Sequence, residues 1–205
     1  AASAASQGTR VALELGGKDA ALVMEDAELE RAAAGITWAA FGFGGQNCAA
    51  VERCYVHESV YPEFLAMVIA RTEKIRPLLD LGPLVTEAQL TIVKTQLQEA
   101  REAGAQVETG GDAPGPGFYH QPTVVTQVQP DMALMCEETF GPILPIVPYS
   151  DLEEAIRQVN SSKYGLTTSI WTRNLALGEA LASAFECGVV TVNNHSFTGA
   201  LPDGA

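Results

Sequence analysis

The chain has 205 residues, a 47% apolar fraction and 25 acidic against 12 basic residues, giving a formal charge of −13. That length supports one sizeable core, and acidity spread along the chain, with no basic tract, argues against a nucleic-acid or anionic-membrane surface. No apolar run approaches the roughly 20 residues that a bilayer span needs, and no signal peptide is evident, so a cytoplasmic, reducing compartment is expected.

The opening residues AASAASQGTR read as the tail of a helix. Val11–Leu15 is a short apolar-rich run ended by Gly16-Gly17, a strand followed by a turn. Ala20–Met24 reads as a buried strand. Asp26 is placed to cap a helix whose apolar positions Leu29, Ala32, Ala33, Ile36 and Ala40 keep helical spacing, and the glycines of Phe41-Gly-Phe-Gly-Gly45 end it. Arg53–His57 is strand-like, and Tyr61–Glu73 is helical with Phe64, Leu65 and Val68 on one side. Thr86–Ala103 is the clearest helix, striped by Leu90, Val93, Leu97 and Ala100 and stopped by Gly104. Ala105–Glu108 reads as a strand and Gly110–Gly117 as an exposed loop. Pro122–Val128 and Ile143–Val147 are further strands, the second with prolines at its edges. Leu152–Val159 is a helix, Leu166–Trp171 a strand, Leu175–Phe185 a helix and Val189–Val192 a nearly all-apolar strand. Strands apolar on both faces and separated by helices indicate a parallel α/β sheet. The loop-like end Leu201–Ala205 and the truncated-looking start suggest a piece of a longer protein.

Three stretches carry chemistry. Gly44-Gly45-Gln46-Asn47-Cys48 places a thiol after two glycines, which permit a sharp turn. A cysteine on such a turn is a candidate nucleophile, whereas one in a smooth apolar run is core filling. Glu14 stands between two leucines before a glycine turn. If the site is buried, desolvation suits a general base; the alternative is an edge strand with Glu14 facing water. Glu137-Glu138-Thr139-Phe140-Gly141-Pro142 joins two acids and an aromatic to a turn, suited either to hydroxyls and a flat ligand or to an acidic loop before a strand. Cys54, Cys136 and Cys187 read as core or incidental thiols, and none of His57, His120 and His195 reads as catalytic. No CxxC or HxxxH spacing suggests a metal.

ELGGK at 14–18, GQNC at 45–48 and EETFGP at 137–142 resemble, in order, three signature motifs of the aldehyde dehydrogenase superfamily. Their separations, 34 positions from Glu14 to Cys48 and 90 from Cys48 to Glu138, suit that family. Asn160-x-x-x-Tyr164-Gly165-Leu166 and Gly188–Asn193 resemble it as well. The resemblance implies a three-layer α/β/α catalytic domain with a mainly parallel sheet. It also implies NAD(P)+-dependent oxidation of an aldehyde to a carboxylic acid, with NAD or NADP as cofactor. By it, Cys48 is the nucleophile, forming a thiohemiacetal and then a thioester. Glu14 is the base that activates the hydrolytic water, Glu138 the acid that holds the nicotinamide ribose, and Phe140 the ring beside the nicotinamide. A backbone N–H at Cys48 would hold the oxyanion.

The resemblance further implies that residues 1–14 are the tail of an upstream cofactor-binding domain with its linker. Residues 15–205 are then the catalytic domain, truncated at its C-terminus, of a protein forming a homodimer or homotetramer. Phe43 replaces an asparagine found in many relatives, Asn47 tunes the pocket, and Phe197 or its neighbours line the substrate tunnel. Two other readings stay open: a folded module without redox turnover, and a cofactor-independent thiol esterase using Cys48 and Glu14.

Overall fold

Strand β1, Asp19–Val23, is buried along its whole length, and its alternate side chains feed two separate cores. Ala20 and Leu22 enter one, Ala21 and Val23 the other. A strand wet on neither face must lie inside a covered sheet, which is where β1 sits. The computed structural model describes residues 3, 6–11, 13–76, 78–114 and 117–195. Phe197 and Leu201–Ala205 lie outside the described residues.

Helix α1 (Leu29–Phe41) follows, then β2 (Val51–His57), α2 (Tyr61–Thr72), α3 (Glu87–Glu102), β3 (Gln106–Thr109) and β4 (Thr123–Thr126). The rest comprises a four-residue helix α4 (Ala133–Cys136), β5 (Ile143–Tyr149), α5 (Leu152–Asn160), β6 (Thr167–Trp171), α6 (Leu175–Ala182) and β7 (Val189–Val192). The seven strands lie in the order β3-β4-β5-β2-β1-β6-β7. Every neighbouring pair is parallel except β3 with β4. Helices α1 and α2 cover one face through Ala32, Ile36, Ala40, Phe64 and Val68. The other face is covered through Val93 and Leu97 of α3, Leu134 of α4 and Ala155 and Val159 of α5. The result is the expected three-layer, mainly parallel α/β/α architecture. Among the described residues no helix is long and apolar enough to cross a membrane.

Several local expectations change. No strand forms among the described residues of Val11–Leu15: Val11, Leu13 and Leu15 are exposed, and no described strand pairs with them. Asp26 does not cap α1. Its carboxylate accepts from the Thr172 hydroxyl at 2.7 Å and the Asn174 amide at 3.0 Å, while Glu28 caps the helix by accepting from the Arg31 amide at 2.8 Å. Strand β5 contains Pro145, as expected, but runs on through Pro148 to Tyr149 rather than stopping at Val147. Residues 143–145 pair with β4 and 146–149 with β2, so each half uses one side only and a missing N–H is tolerated on the other.

Asp19, at the head of β1, is almost wholly buried and accepts from the amide and hydroxyl of Thr167 at the head of β6. Burial raises its carboxyl from 3.8 to about 7, with the Thr167 hydrogen bonds opposing the rise. A carboxyl with a raised native pKa favours the fold below its unfolded value, and that contribution is lost as pH rises through about 7. Asp19→Asn keeps an acceptor for Thr167 without the charge. Urea unfolding from about pH 4 to pH 7 should therefore show a shallower loss of stability in Asp19→Asn than in the parent; parallel curves would assign the titration elsewhere.

Candidate active site

The three motif stretches lead into the amino ends of three adjacent parallel strands. Gly16-Gly17-Lys18 precedes β1, Cys48 precedes β2 and Glu138-Thr139-Phe140 precedes β5, with β2 in the middle of the order β5-β2-β1. Sheet topology alone therefore gathers segments far apart in sequence.

After α1 the chain makes a left-handed turn, with φ of 54° at Phe43, 71° at Gly44 and 69° at Gly45. Gly45 has a second reason to lack a side chain: a Cβ there would lie 2.3 Å from the Gly141 carbonyl oxygen, so the turn before Cys48 rests against the EETFGP turn. Gln46 ties the turn down. Its Oε1 accepts from the Val85 amide at 2.9 Å and its Nε2 donates to the Phe43 carbonyl at 3.1 Å. Asn47 shapes the next step, its Oδ1 accepting from the Ala49 amide at 3.0 Å. Cys48 is thus carried exposed on a fixed loop, its Sγ 3.7 Å from Asn47 Oδ1. Among the described residues the Cys48 amide has no hydrogen-bond partner, so it is free to donate to a developing oxyanion. Cys54, by contrast, is fully buried, and burial pushes its thiol up.

The Gly16-Gly17 turn lies between Cys48 and Glu138. A Cβ on Gly17 would sit 2.4 Å from the Cys48 carbonyl oxygen, and one on Gly16 would sit 2.4 Å from Glu138 Oε2. The Gly17 amide donates to Glu138 Oε1 at 3.0 Å, while the Glu138 amide donates to the Tyr164 hydroxyl at 3.2 Å. Phe140 is half-buried with φ at 46°, a left-handed backbone that a non-glycine residue adopts only when its surroundings hold it there.

Glu14 is the exception. It is exposed, and no hydrogen bond or ion pair reaches it among the described residues. The buried setting considered for it is absent, because the flanking Leu13 and Leu15 also face outward. The structure brings Cys48, Glu138 and Phe140 together through their loops and leaves Glu14 on the irregular segment before Gly16.

Sequence reasoning missed the buried charges beneath these loops. Lys18 and Glu52 are 1% and 3% exposed and form an ion pair at 2.6 Å. Burial lowers the Lys18 pKa, and the Glu52 carboxylate beside it opposes that. Lys18 Nζ also donates to Thr139 Oγ1 at 2.9 Å, and Thr139 Oγ1 donates to Gln96 Oε1 at 2.7 Å. Arg53 donates to the Lys18 carbonyl at 2.9 Å and to the Gln158 and Val159 carbonyls near the end of α5, both at 3.2 Å, a favourable place for a cation. The signal was present: Glu-Arg inside the otherwise apolar stretch from Val51 to Val56 marks charges that must find buried partners.

His195, not read as catalytic from the sequence, sits close behind the Cys48 loop. It is buried, its Nε2 lies 2.7 Å from the Ala49 carbonyl oxygen, and its pKa is lowered to about 4, mainly by burial. It braces Ala49, the residue after Cys48, and makes no hydrogen bond to the thiol, so a Cys–His pair at Cys48 is not formed.

As a receptor for a dinucleotide, the half-buried Glu138 carboxylate offers acceptors of the kind that ribose hydroxyls need. Phe140 offers a ring on the same turn. The residues present fit that part of the group.

Fold and loops together define a parallel α/β domain that presents a thiol at the amino ends of its central strands. A sequence model of the aldehyde dehydrogenase family matches residues 1–202, and the chain belongs to that family. It is 40% identical over 202 residues to 3,6-anhydro-alpha-L-galactose dehydrogenase of Vibrio sp. strain EJY3, covering 93% of this chain and 42% of the relative. Among solved structures it superposes on the putative aldehyde dehydrogenase PutA from Anabaena variabilis with a TM-score of 0.91 at 34% identity, covering 99% of this chain and 45% of that one. A 3,6-anhydro-L-galactose dehydrogenase solved in complex with NAP gives a TM-score of 0.89 at 38% identity, covering 95% and 43%. The chain thus spans about two fifths of the length of the curated relatives it matches.

Proposed function

We propose that this chain is the catalytic part of an NAD(P)+-dependent aldehyde dehydrogenase that oxidises an aldehyde to a carboxylic acid. The observation that carries this reading is Cys48, exposed on a left-handed turn whose backbone abuts both the Gly16-Gly17 turn and the EETFGP turn. Cys48 Sγ attacks the aldehyde carbon, and the free Cys48 amide donates to the oxyanion of the thiohemiacetal. Glu138 would hold the ribose hydroxyls of NAD(P)+ and Phe140 would lie beside its ring; a dinucleotide held there would supply the hydride acceptor that turns the Cys48 thiohemiacetal into a thioester. Water then cleaves the thioester, releasing the acid and the thiolate.

Glu14 is the base for that water in this reading. The role requires Glu14, exposed here, to come within reach of the thioester in the full-length protein. The same proposal places the protein in the cytoplasm as a homo-oligomer.

The test is on the full-length protein, with an aldehyde panel and both NAD+ and NADP+. Glu14→Gln should slow steady-state turnover by about 10²-fold or more, the usual range for a lost general base. The first turnover, read as a burst of reduced cofactor, should persist. Absence of cofactor reduction with every aldehyde would refute the reading, and equal loss of burst and steady state would remove Glu14 from deacylation.

A further inference from the structure

Glu52 lies four residues beyond Cys48, at the start of the central strand β2, where three donors from two other loops converge on its two oxygens. Oε1 accepts from the Phe140 amide at 2.8 Å. Oε2 accepts from the Thr139 amide at 2.8 Å and from Lys18 Nζ at 2.6 Å. We propose that Glu52 is a positioning residue: its carboxylate fixes the loop bearing Glu138 and Phe140 against the strand that follows the nucleophile, and so sets cofactor binding without touching the cofactor. The inference rests on the reading of Glu138 and Phe140 as cofactor residues.

The chemistry asks for an ionised carboxylate in particular. Two backbone amides and an ammonium need acceptors on both oxygens, and each hydrogen bond is strengthened by the charge. A glutamine of the same shape offers one acceptor oxygen and turns an NH2 towards donors, leaving a buried amide unpaired. The loop it holds is not one that would keep its shape unaided. Phe140 sits at a φ of 46°, and the hydrogen bond from its own amide to Glu52 opposes relaxation of that residue. Two residues earlier, Glu138 is positioned from the opposite side by the Gly17 amide, and Gly17 adjoins Lys18, whose ammonium grips the other Glu52 oxygen, Oε2. Glu52 therefore secures both sides of the Glu138 carboxylate. The Cys48 turn has its own supports in Gln46 and Asn47, so damage at Glu52 should fall on the cofactor side.

The experiment uses the full-length protein with Glu52→Gln, Glu138→Gln and the two combined. Readouts are KM for NAD(P)+, KM for the aldehyde, and the rate of Cys48 alkylation by iodoacetamide without cofactor. Glu52→Gln should raise the cofactor KM about tenfold or more, while the aldehyde KM and the alkylation rate change less than about twofold. In the Glu138→Gln background the same change should add less than about threefold, because residues that act through one another are not additive. If Glu52→Gln fails to fold, Lys18→Met/Glu52→Gln removes the stranded ammonium and should fold while keeping the raised cofactor KM. An unchanged cofactor KM, equal proportional losses in every readout, or full multiplicativity with Glu138→Gln would overturn the inference. If Glu138→Gln itself leaves the cofactor KM unchanged, the reading of Glu138 fails instead.

Discussion

Replacing Cys48 by alanine should lower aldehyde oxidation by on the order of 10⁴-fold or more, the scale seen when a covalent nucleophile is removed. The loss follows from what the thiol contributes. Without it no thiohemiacetal forms, the carbonyl carbon stays trigonal, and it has no reason to release hydride. Cleavage of activated esters should fall by a similar factor, because the acyl group would have nowhere to go. The fold should be untouched: Cys48 is exposed, and its loop is fixed by Gln46, Asn47 and the left-handed glycines rather than by the sulfur. Cys54→Ala is the instructive comparison. Its thiol is buried in the core beneath α1 and α2, so it should lower stability through a small cavity and leave the per-molecule rate largely intact. Iodoacetamide followed by peptide mapping gives an independent measure, with Cys48 labelled and Cys54 protected until unfolding. Retention of activity within about tenfold in Cys48→Ala would remove it as the nucleophile.

Much of the fold was written in the sequence because hydrophobic spacing reports on burial directly. The stripe Leu90, Val93, Leu97, Ala100 placed α3, and the run Ala20–Met24 placed β1, each within a residue or two. What failed was chemistry that depends on distant partners. Asp26 has the right residue type for a cap, yet Thr172 and Asn174, brought alongside by the β1–β6 pairing, compete for it and win. Val11–Leu15 has a strand-like composition, but among the described residues no strand pairs with it. Pro148 looks like a boundary until the ladder is seen to change sides after Pro145, so that residues 146–149 continue the strand against β2. Helix α4 is one turn long, too short for any periodicity to show.

The candidate site divides the same way. Its named residues were legible as motifs, but their convergence was not, because it depends on strand order. In many open parallel sheets ligands gather at the carboxyl ends of strands. Here the motif loops instead enter the amino ends of β1, β2 and β5, and the middle position of β2 puts the segment after Cys48 between the other two. The same order explains why Lys18 and Glu52 meet. One ends the loop into β1 and the other lies at the start of β2, where the register shifts: Asp19 pairs with Val51 but Ala20 with Arg53, which leaves Glu52 as the extra residue at the end of the ladder nearest Lys18.

That burial makes Lys18 the substitution with the largest expected effect on stability. Lys18→Met should cost about 3–5 kcal/mol, the scale for removing one partner of a buried ion pair. The methionine fills much of the lysine volume, so packing is not the main loss. The loss is that Glu52, 3% exposed, keeps a desolvated charge with only the Thr139 and Phe140 amides to answer it, and Thr139 Oγ1 loses a donor. Urea unfolding followed by far-UV circular dichroism reads the effect. Combining Lys18→Met with Glu52→Gln should recover a substantial part of it, because the surviving group is then polar and uncharged. The two substitutions must therefore be strongly non-additive, the pair less damaging than the sum of its parts. A Lys18→Met cost below about 1 kcal/mol, or simple additivity with Glu52→Gln, would mean that the pair is solvated in solution and that the loops are joined by their backbone contacts alone.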